Sequence, residues 1–151
     1  MKSDRYQKFN ILLANDNEDV CLLVEEALRE VSQNVVLYSV ENGEEVLKYL
    51  YHREKYEQPH TFPIPHLILM DLNMPKMNGK EAIAVIKNDP QFKTIPIVIF
   101  TTSHDELDII NSYNLGVNSF IVKPVTFEKL VEILKILCLY WFEIVSLPIN
   151  I

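Results

Sequence analysis

Apolar residues in this chain occur in two patterns, short continuous runs and longer stretches with an apolar residue every three or four positions. Short runs bounded by polar turns are typical of strands buried on both faces of a parallel sheet. Spacings of three and four are typical of one face of a helix. The runs predict five strands, at residues 9–14, 35–40, 67–70, 95–100 and 119–122.

Helical spacing follows each of these runs and predicts five helices. They are residues 20–31, a short helix marked by Val46, Leu47 and Leu50, residues 79–88, residues 104–114, and a last helix from Thr126 to Phe142. Asp19, Gly116 and Thr126 are the expected caps of the first, fourth and fifth helices. Residues 52–63 show no period and are expected to form an exposed, extended loop.

Strands that alternate with helices form right-handed βαβ units. The pattern therefore predicts an α/β fold of the flavodoxin-like, doubly wound kind, with a five-stranded parallel sheet in the order 2-1-3-4-5 and five helices. The 151 residues fit one domain. We expect an N-terminal extension at residues 1–8, the domain at 9–142, and a tail at 143–151 that packs on the last helix or on a dimer partner.

Charge and cysteine content exclude several classes of function. The formal net charge is −7 without a cluster of Lys or Arg, which argues against a nucleic-acid-binding surface and favours protein partners. Cys21 and Cys138 lack metal-ligand spacing and are expected to be reduced core thiols. With no signal peptide and no apolar run long enough to span a membrane, we expect a cytoplasmic protein with no membrane contact.

Four polar residues stand where predicted strands end, namely Asp16, Asp71, Thr101 and Lys123. Each alone has an ordinary explanation, such as a helix cap for an Asp or a solvated surface position for a Lys. In the 2-1-3-4-5 order, however, the four strand ends converge on one crevice. Two adjacent carboxylates suit Mg²⁺, and a carboxylate can itself accept a phosphoryl group whose oxygens need a cation and hydrogen-bond donors.

On these residues the sequence resembles the receiver domains of bacterial two-component response regulators. The matching features are Asp16, Asp71 in Asp-Leu-Asn-Met-Pro-Lys-Met-Asn-Gly, Thr101, and Lys123-Pro124. The resemblance implies that a sensor histidine kinase phosphorylates Asp71, that Asp16, Asp71 and the Asn73 backbone carbonyl hold Mg²⁺, and that Thr101 and Lys123 bind the phosphoryl group. It also suggests a cis Lys123-Pro124 peptide.

Two residues depart from the family pattern. Asn15 stands where the family usually has the first of two consecutive acids, so we expect it to be at most a weak or indirect metal ligand and the site to bind Mg²⁺ less tightly. Thr102 stands where the family often has Ala, Gly or Ser, and its branched side chain is expected to slow the entry of water or small phosphodonors.

The output is expected to be a protein contact, because no DNA-binding or enzymatic segment follows the receiver pattern. Phe120 occupies the position of the family's switch aromatic, whose rotamer follows the placement of Thr101. The last helix is apolar around most of its circumference, which favours a homodimer through helix four, strand five and helix five. The residues expected at this interface are Phe120, Val122, Phe127, Trp141 and Phe142.

The long polar loop after the second helix and the ending Tyr-Trp-Phe-Glu-Ile-Val also resemble the stand-alone regulators of cyanobacterial phytochromes. This implies phosphotransfer from a light-regulated kinase to a phosphoacceptor that is not an enzyme beyond labelling and unlabelling itself. Two alternatives remain open. One is a Mg²⁺-dependent phosphohydrolase, against which Asn73 stands in place of the second Asp of Asp-x-Asp-x-Thr. The other is a binding module that works without phosphorylation, which Asn15 makes credible.

Overall fold

Five parallel strands form the sheet at the centre of the computed structural model, which describes residues 8–148. The strands are β1 (Phe9–Ala14), β2 (Val35–Val40), β3 (Leu67–Met70), β4 (Ile97–Thr101) and β5 (Ser119–Val122). They pair in the order β2-β1-β3-β4-β5. The predicted flavodoxin-like topology is confirmed, and the carboxyl ends of all five strands lie at one edge.

Helices cover both faces of this sheet. They are α1 (Glu18–Val31), α2 (Gly43–Leu50), α3 (Gly79–Lys87), α4 (Glu106–Leu115) and α5 (Phe127–Cys138). Leu12 and Ile68 pack with α2 and α3, whereas Leu13 and Leu69 pack with α1 and α5. Successive side chains of a strand point to opposite faces, so the fully apolar runs of β1 and β3 supply a core on each side.

Polar caps set where the helices begin and end. Asn17, not the expected Asp19, caps α1, because its side chain accepts hydrogen bonds from the Asp19 and Val20 backbones. Thr126 caps α5 as predicted. Gly116 ends α4 with φ of 105°, a left-handed conformation that glycine adopts without a steric penalty.

Two segments differ from their predicted form. β4 starts at Ile97, two residues later than expected, because Pro96 has no backbone N–H to donate to a neighbouring strand. The stretch 52–63 is not wholly exposed, since it contains a 3₁₀ turn at Glu54–Tyr56 and Tyr56 is 5% exposed. The Tyr56 hydroxyl donates to Glu45 at 2.5 Å and its ring packs against Tyr49. This burial raises the Tyr56 pKa well above its ordinary value.

The last helix changes its geometry before Phe142. The α-helix ends at Cys138, and Leu139–Ile144 continues as a wider π-helical turn. This turn places the Phe142 ring on Phe9, with the two rings stacked 4.5 Å apart. Leu147 then packs against the core formed with α1 and α5. Residues 1–7 of the expected extension and 149–151 of the expected tail lie outside the described part.

Neither cysteine forms a disulfide, although their surroundings differ. Cys138 is buried, which raises the pKa of its thiol to about 12. Cys21 is half-buried and packs against the core that contains Cys138, so Cys138 fits the expectation of a core thiol fully and Cys21 fits it in part. No helix between residues 8 and 148 combines the length and apolar character needed to cross a bilayer.

Candidate functional site

Asp71 lies directly after β3, where its carboxylate is held on three sides. Its backbone N–H donates to Ala14 at 3.0 Å, which ties the ends of β3 and β1 together. Oδ2 accepts hydrogen bonds from Asn15 Nδ2 at 3.2 Å and from Lys123 Nζ at 3.4 Å. Oδ1 accepts from the Asn73 backbone at 3.4 Å. A buried carboxylate therefore faces an ammonium group at the predicted edge of the sheet.

Asn15 presents its amide nitrogen, not its oxygen, to this carboxylate. Its Oδ1 accepts a hydrogen bond from the Asn17 backbone at 2.8 Å, and its own backbone N–H donates to Val40 at 3.0 Å. Asn17 was not a candidate in the sequence analysis, although an Asn directly before a helical pattern is a typical cap. The structure thus shows Asn15 as a hydrogen-bond donor to Asp71.

Asp16 follows Asn15 and is exposed to solvent. With Asn15, Glu18 and Glu41 it borders an open cavity of about 520 Å³ beside α1 and the end of β2. No cluster of three or more metal-binding His, Cys, Asp or Glu side chains occurs in residues 8–148. The ligand oxygens predicted from the sequence are the Asp16 and Asp71 carboxylates and the Asn73 backbone carbonyl. Such a set fits Mg²⁺, which uses one or two carboxylates and keeps several waters.

Thr101 is the last residue of β4 and has the least satisfied polar side chain of the site. The residue is 0% exposed, and its Oγ1 has no hydrogen-bond partner among the described residues. Its backbone carbonyl accepts from the Lys123 N–H at 2.7 Å. A buried hydroxyl without a partner destabilises a fold by about 1–3 kcal/mol, so such a group is a candidate for binding a ligand.

Lys123 brings its ammonium group to the site from the end of β5. Its side chain is 13% exposed, and Nζ lies 6.0 Å from the centre of the Phe100 ring. No cis peptide bond occurs in the described residues, so the Lys123-Pro124 bond is trans and the expectation of a cis bond is wrong. The trans form is the lower in energy for most X-Pro bonds.

The loop after Thr101 is fastened to α3 by a second set of polar contacts, which the sequence analysis missed. Ser103 Oγ donates to Asp108 Oδ2 at 2.7 Å, and Lys80 Nζ donates to Asp108 Oδ1 at 2.8 Å. Hydrogen bonds from Lys80 and then Ser103 lower the pKa of Asp108. The segment from the Thr101 strand end to the first turn of α4 is therefore connected to the helix that follows the Asp71 loop.

Gly79 sets the distance between that helix and the phosphoacceptor candidate. A Cβ at this position would lie 2.2 Å from the Asp71 backbone oxygen, and the Gly79 N–H donates to Leu72 at 3.0 Å. Only a residue without a side chain allows this approach. The sequence analysis includes Gly79 as the last residue of the matching motif, but its contact with Asp71 appears only in three dimensions.

The residues expected at a protein interface differ in how much surface they offer. Val122 is 39% exposed, and Phe120, Phe127 and Trp141 are half-buried. Phe120 packs against the core on the α2 and α3 side. Phe142 is 4% exposed and packs inside the chain, so the expectation that it lines an interface is corrected. The π-helical turn rotates it towards Phe9.

Comparison with known proteins places this geometry in a family. The family model described as the response regulator receiver domain matches residues 11–135. Response regulator Rcp1 of Synechocystis sp. is 38% identical over 138 residues, which cover 91% of this chain and 92% of that protein.

Solved structures agree with the family match. The phosphorylated cyanobacterial phytochrome response regulator RcpA matches with a TM-score of 0.86 and 37% identity, covering 94% of this chain and 99% of that one. The Mn²⁺-bound form of Rcp1 matches with a TM-score of 0.83 and 37% identity, covering 93% and 99%. This chain belongs to the response regulator receiver domain family, and its relatives include the response regulators of cyanobacterial phytochromes.

Proposed function

We propose that this chain is a response regulator that accepts a phosphoryl group on Asp71 from a sensor histidine kinase. The supporting observation is the pairing of a buried carboxylate, 3.4 Å from the Lys123 ammonium, with the unpartnered hydroxyl of Thr101 on the neighbouring strand. The carboxylate is a nucleophile, and the ammonium and hydroxyl are donors suited to phosphoryl oxygens. In this proposal the protein works in the cytoplasm.

The proposed reaction forms one bond and breaks one. A carboxylate oxygen of Asp71 bonds to phosphorus while the bond from phosphorus to the kinase's histidine nitrogen breaks, and that imidazole keeps the electron pair and takes a proton from water. Lys123 Nζ and the Thr101 hydroxyl donate to the phosphoryl oxygens. A divalent cation, Mg²⁺ in this proposal, would be held by Asp16, Asp71 and the Asn73 carbonyl and would supply further positive charge.

The phosphoryl group is proposed to act through Thr101 and Phe120. The Thr101 hydroxyl, which lacks a partner in the part of the chain that the structure describes, gains one when it donates to the phosphoryl group, so its movement towards Asp71 is favourable. Phe120 lies on β5, next to β4, and is half-buried against the core. A shift of Thr101 leaves space for Phe120, which alters the surface formed by α4, β5 and α5.

Exposed apolar residues on that surface support a protein contact. On α4, Leu107, Ile110 and Tyr113 recur every three residues and are 67%, 53% and 48% exposed. On α5, Ile136 is 60% exposed, and Tyr140 in the following turn is 49% exposed. We propose that a second copy of the chain packs here to form a homodimer, and that a downstream protein binds the same surface. Apolar patches of this kind mark interaction sites.

The proposed kinase is a phytochrome. RcpA is described as a cyanobacterial phytochrome response regulator, and it matches this chain over 94% of its length. Incubation with a phytochrome kinase in its two light states, followed by phosphate transfer, tests this assignment. Equal transfer from an unrelated histidine kinase would argue against it.

The central experiment treats the wild type and Asp71→Asn with acetyl phosphate and Mg²⁺, and in parallel with beryllofluoride. We expect the wild type to gain the mass of one phosphoryl group and to change its elution on a sizing column, and Asp71→Asn to do neither. Absence of both responses in the wild type contradicts the proposal. Constant dimerisation without labelling would instead support a binding module that works without phosphorylation, and repeated release of phosphate from phosphoesters would indicate a hydrolase.

A further inference from the structure

Asn15 is fixed in one orientation by groups whose hydrogen-bonding roles are not interchangeable. The residue is 3% exposed. Asp71 Oδ2, an acceptor in the carboxylate form, lies 3.2 Å from one end of the amide, and the Asn17 backbone N–H, which can only donate, lies 2.8 Å from the other. The amide nitrogen must therefore face Asp71. In this arrangement the amide oxygen accepts the hydrogen bond from the Asn17 N–H and points away from Asp71, so it is not directed at a cation on that carboxylate.

We propose that Asn15 is a positioning residue that stabilises the metal-free form of the Asp71 site while lowering its affinity for divalent cations. This inference rests on the proposed function, because it assumes that the Asp71 site holds such a cation. Together with Lys123, the Asn15 amide supplies a donor to Oδ2 of Asp71, so this carboxylate oxygen is satisfied before any metal arrives.

A carboxylate in place of the amide reverses both effects. An aspartate of the same shape would put a second negative oxygen where the donor nitrogen now lies, 3.2 Å from Asp71 Oδ2. Like charges at such a distance destabilise the metal-free protein, and a divalent cation relieves the repulsion. The cation would also gain one more negatively charged ligand. One exchange of NH₂ for O⁻ thus changes metal-free stability and metal affinity in opposite directions.

The test follows thermal unfolding and Mg²⁺ binding of the wild type and Asn15→Asp, from excess chelator to saturating Mg²⁺. In excess chelator we expect Asn15→Asp to have a lower Tm than the wild type. In the Mg²⁺ titration its Kd should be about tenfold lower than that of the wild type, because of the added ligand charge. Its Tm should therefore rise more steeply with Mg²⁺ and approach or pass that of the wild type. Asn111→Asp, the same change at an exposed position of α4, should leave both quantities close to wild type.

Asn15→Ala distinguishes a donor from a ligand, and it remains informative if Asn15→Asp does not fold. Loss of the donor should lower the metal-free Tm, while the Mg²⁺ Kd should fall or stay close to that of the wild type, since no ligand is removed and Asp71 Oδ2 loses a donor that competes with the cation. The proposal is overturned if Asn15→Ala weakens Mg²⁺ binding tenfold or more, which would make Asn15 a ligand. It is also overturned if Asn15→Asp matches the wild type in metal-free Tm or in Kd, including the case in which neither protein binds Mg²⁺.

These measurements are separate from the test of phosphorylation. A wild type that binds Mg²⁺ but does not react with acetyl phosphate or beryllofluoride contradicts the proposed function and leaves the order of metal-free Tm values intact. Conversely, a wild type that is labelled on Asp71, with Tm and Kd unchanged in Asn15→Asp, overturns only the role assigned to Asn15.

Discussion

At the amino ends of the strands, His66 and Asn118 each form two hydrogen bonds with the backbone of a neighbouring residue. At the carboxyl ends the Thr101 hydroxyl is buried and has no partner within residues 8–148. His66 pairs with Asn10 of β1, and Asn118 pairs with Ile97 of β4. The amino edge thus satisfies these groups and holds the strands in register. The carboxyl edge keeps a donor free, which suits the edge where parallel α/β sheets bind ligands.

The difference between the edges is also seen in a comparison of Gly79 with Gly116. Gly79, at the carboxyl edge, is required by a close approach, since its Cβ would lie 2.2 Å from the Asp71 backbone oxygen. Gly116, before β5, is required by its φ of 105°, while the nearest atom to its Cβ would be 3.6 Å away on the flexible side chain of Lys87. A methyl group at position 79 must displace the backbone of Asp71, whereas a methyl group at position 116 strains only the backbone conformation of that residue.

The largest expected effect is therefore that of Gly79→Ala. We expect it to lower the free energy of unfolding by about 3 kcal/mol or more, because overpacking against backbone cannot be relieved by a side-chain rotation. Gly116→Ala should lower the free energy of unfolding by about 1–2 kcal/mol, the range for a non-glycine residue in the left-handed region. Urea unfolding of both variants measures the difference. Equal losses would show that the carboxyl edge has no special need for this close contact.

Replacing the hydroxyl of Thr101 by a methyl group tests the difference between the carboxyl and amino edges directly. We expect it to change the free energy of unfolding by about 1 kcal/mol. Thr101→Val removes a buried donor that has no partner among the described residues, so it should raise the free energy of unfolding. Asn118→Ala at the amino edge should lower it by about 1–2 kcal/mol, because the Ile97 N–H loses its acceptor. Opposite signs are the expected result of urea unfolding.

The same pair of variants has a functional readout. Thr101→Val should respond to beryllofluoride with a smaller change in elution than the wild type, since it lacks the hydroxyl that the phosphoryl group is proposed to attract. Asn118→Ala should respond fully at a temperature where it is folded. A destabilised Thr101→Val would show that the hydroxyl already has a partner in solution and would remove the argument that it is kept free for a ligand.

The carboxyl edge was more predictable from sequence than the amino edge. Strand ends can be read from where an apolar run stops, so the positions of Asp71, Thr101 and Lys123 followed from the topology. His66 and Asn118 precede strands as isolated polar residues. A hydrogen-bonded pair between residues far apart in the chain produces no repeating pattern in the sequence, so these pairs could not be predicted from it. The topology was therefore predictable, while the contacts that hold its amino edge were not.

Orientation was the second kind of information that the sequence lacked. An Asn at position 15 has both an oxygen and a donor nitrogen, and the positions of the Asp71 carboxylate and the Asn17 N–H together decide which of them faces Asp71. In the same way, the apolar stretch to Phe142 predicted a continuous helix, but a single wide turn decides that Phe142 faces the core. The roles assigned to the site residues stay predictions until phosphorylation is measured.

The smallest expected effect is a pH dependence that the amino edge should show. His66 is 4% exposed, its Nδ1 accepts from the Asn10 N–H at 2.9 Å, and its ring packs edge-on against Phe9. Burial lowers the pKa of His66 below its ordinary value of 6.5. A protonated ring would also lose the acceptor that the Asn10 N–H needs.

Because the folded pKa lies below the unfolded one, the unfolded chain binds more protons at pH values between the two. The stability contributed by neutral His66 is thus fully present above about pH 6.5, the unfolded value, and is lost as the pH falls through the folded pKa. His66→Asn keeps a polar side chain but does not titrate there, so its free energy of unfolding should vary less with pH than that of the wild type. His104→Gln, which removes an exposed histidine, should follow the wild-type profile. The comparison runs from neutral pH down to about 5, above the range where most carboxylates titrate. If the free energies of unfolding of wild type and His66→Asn vary in parallel over this range, then protonation of His66 does not weaken its contact with Asn10, and the amino edge does not depend on the neutral ring.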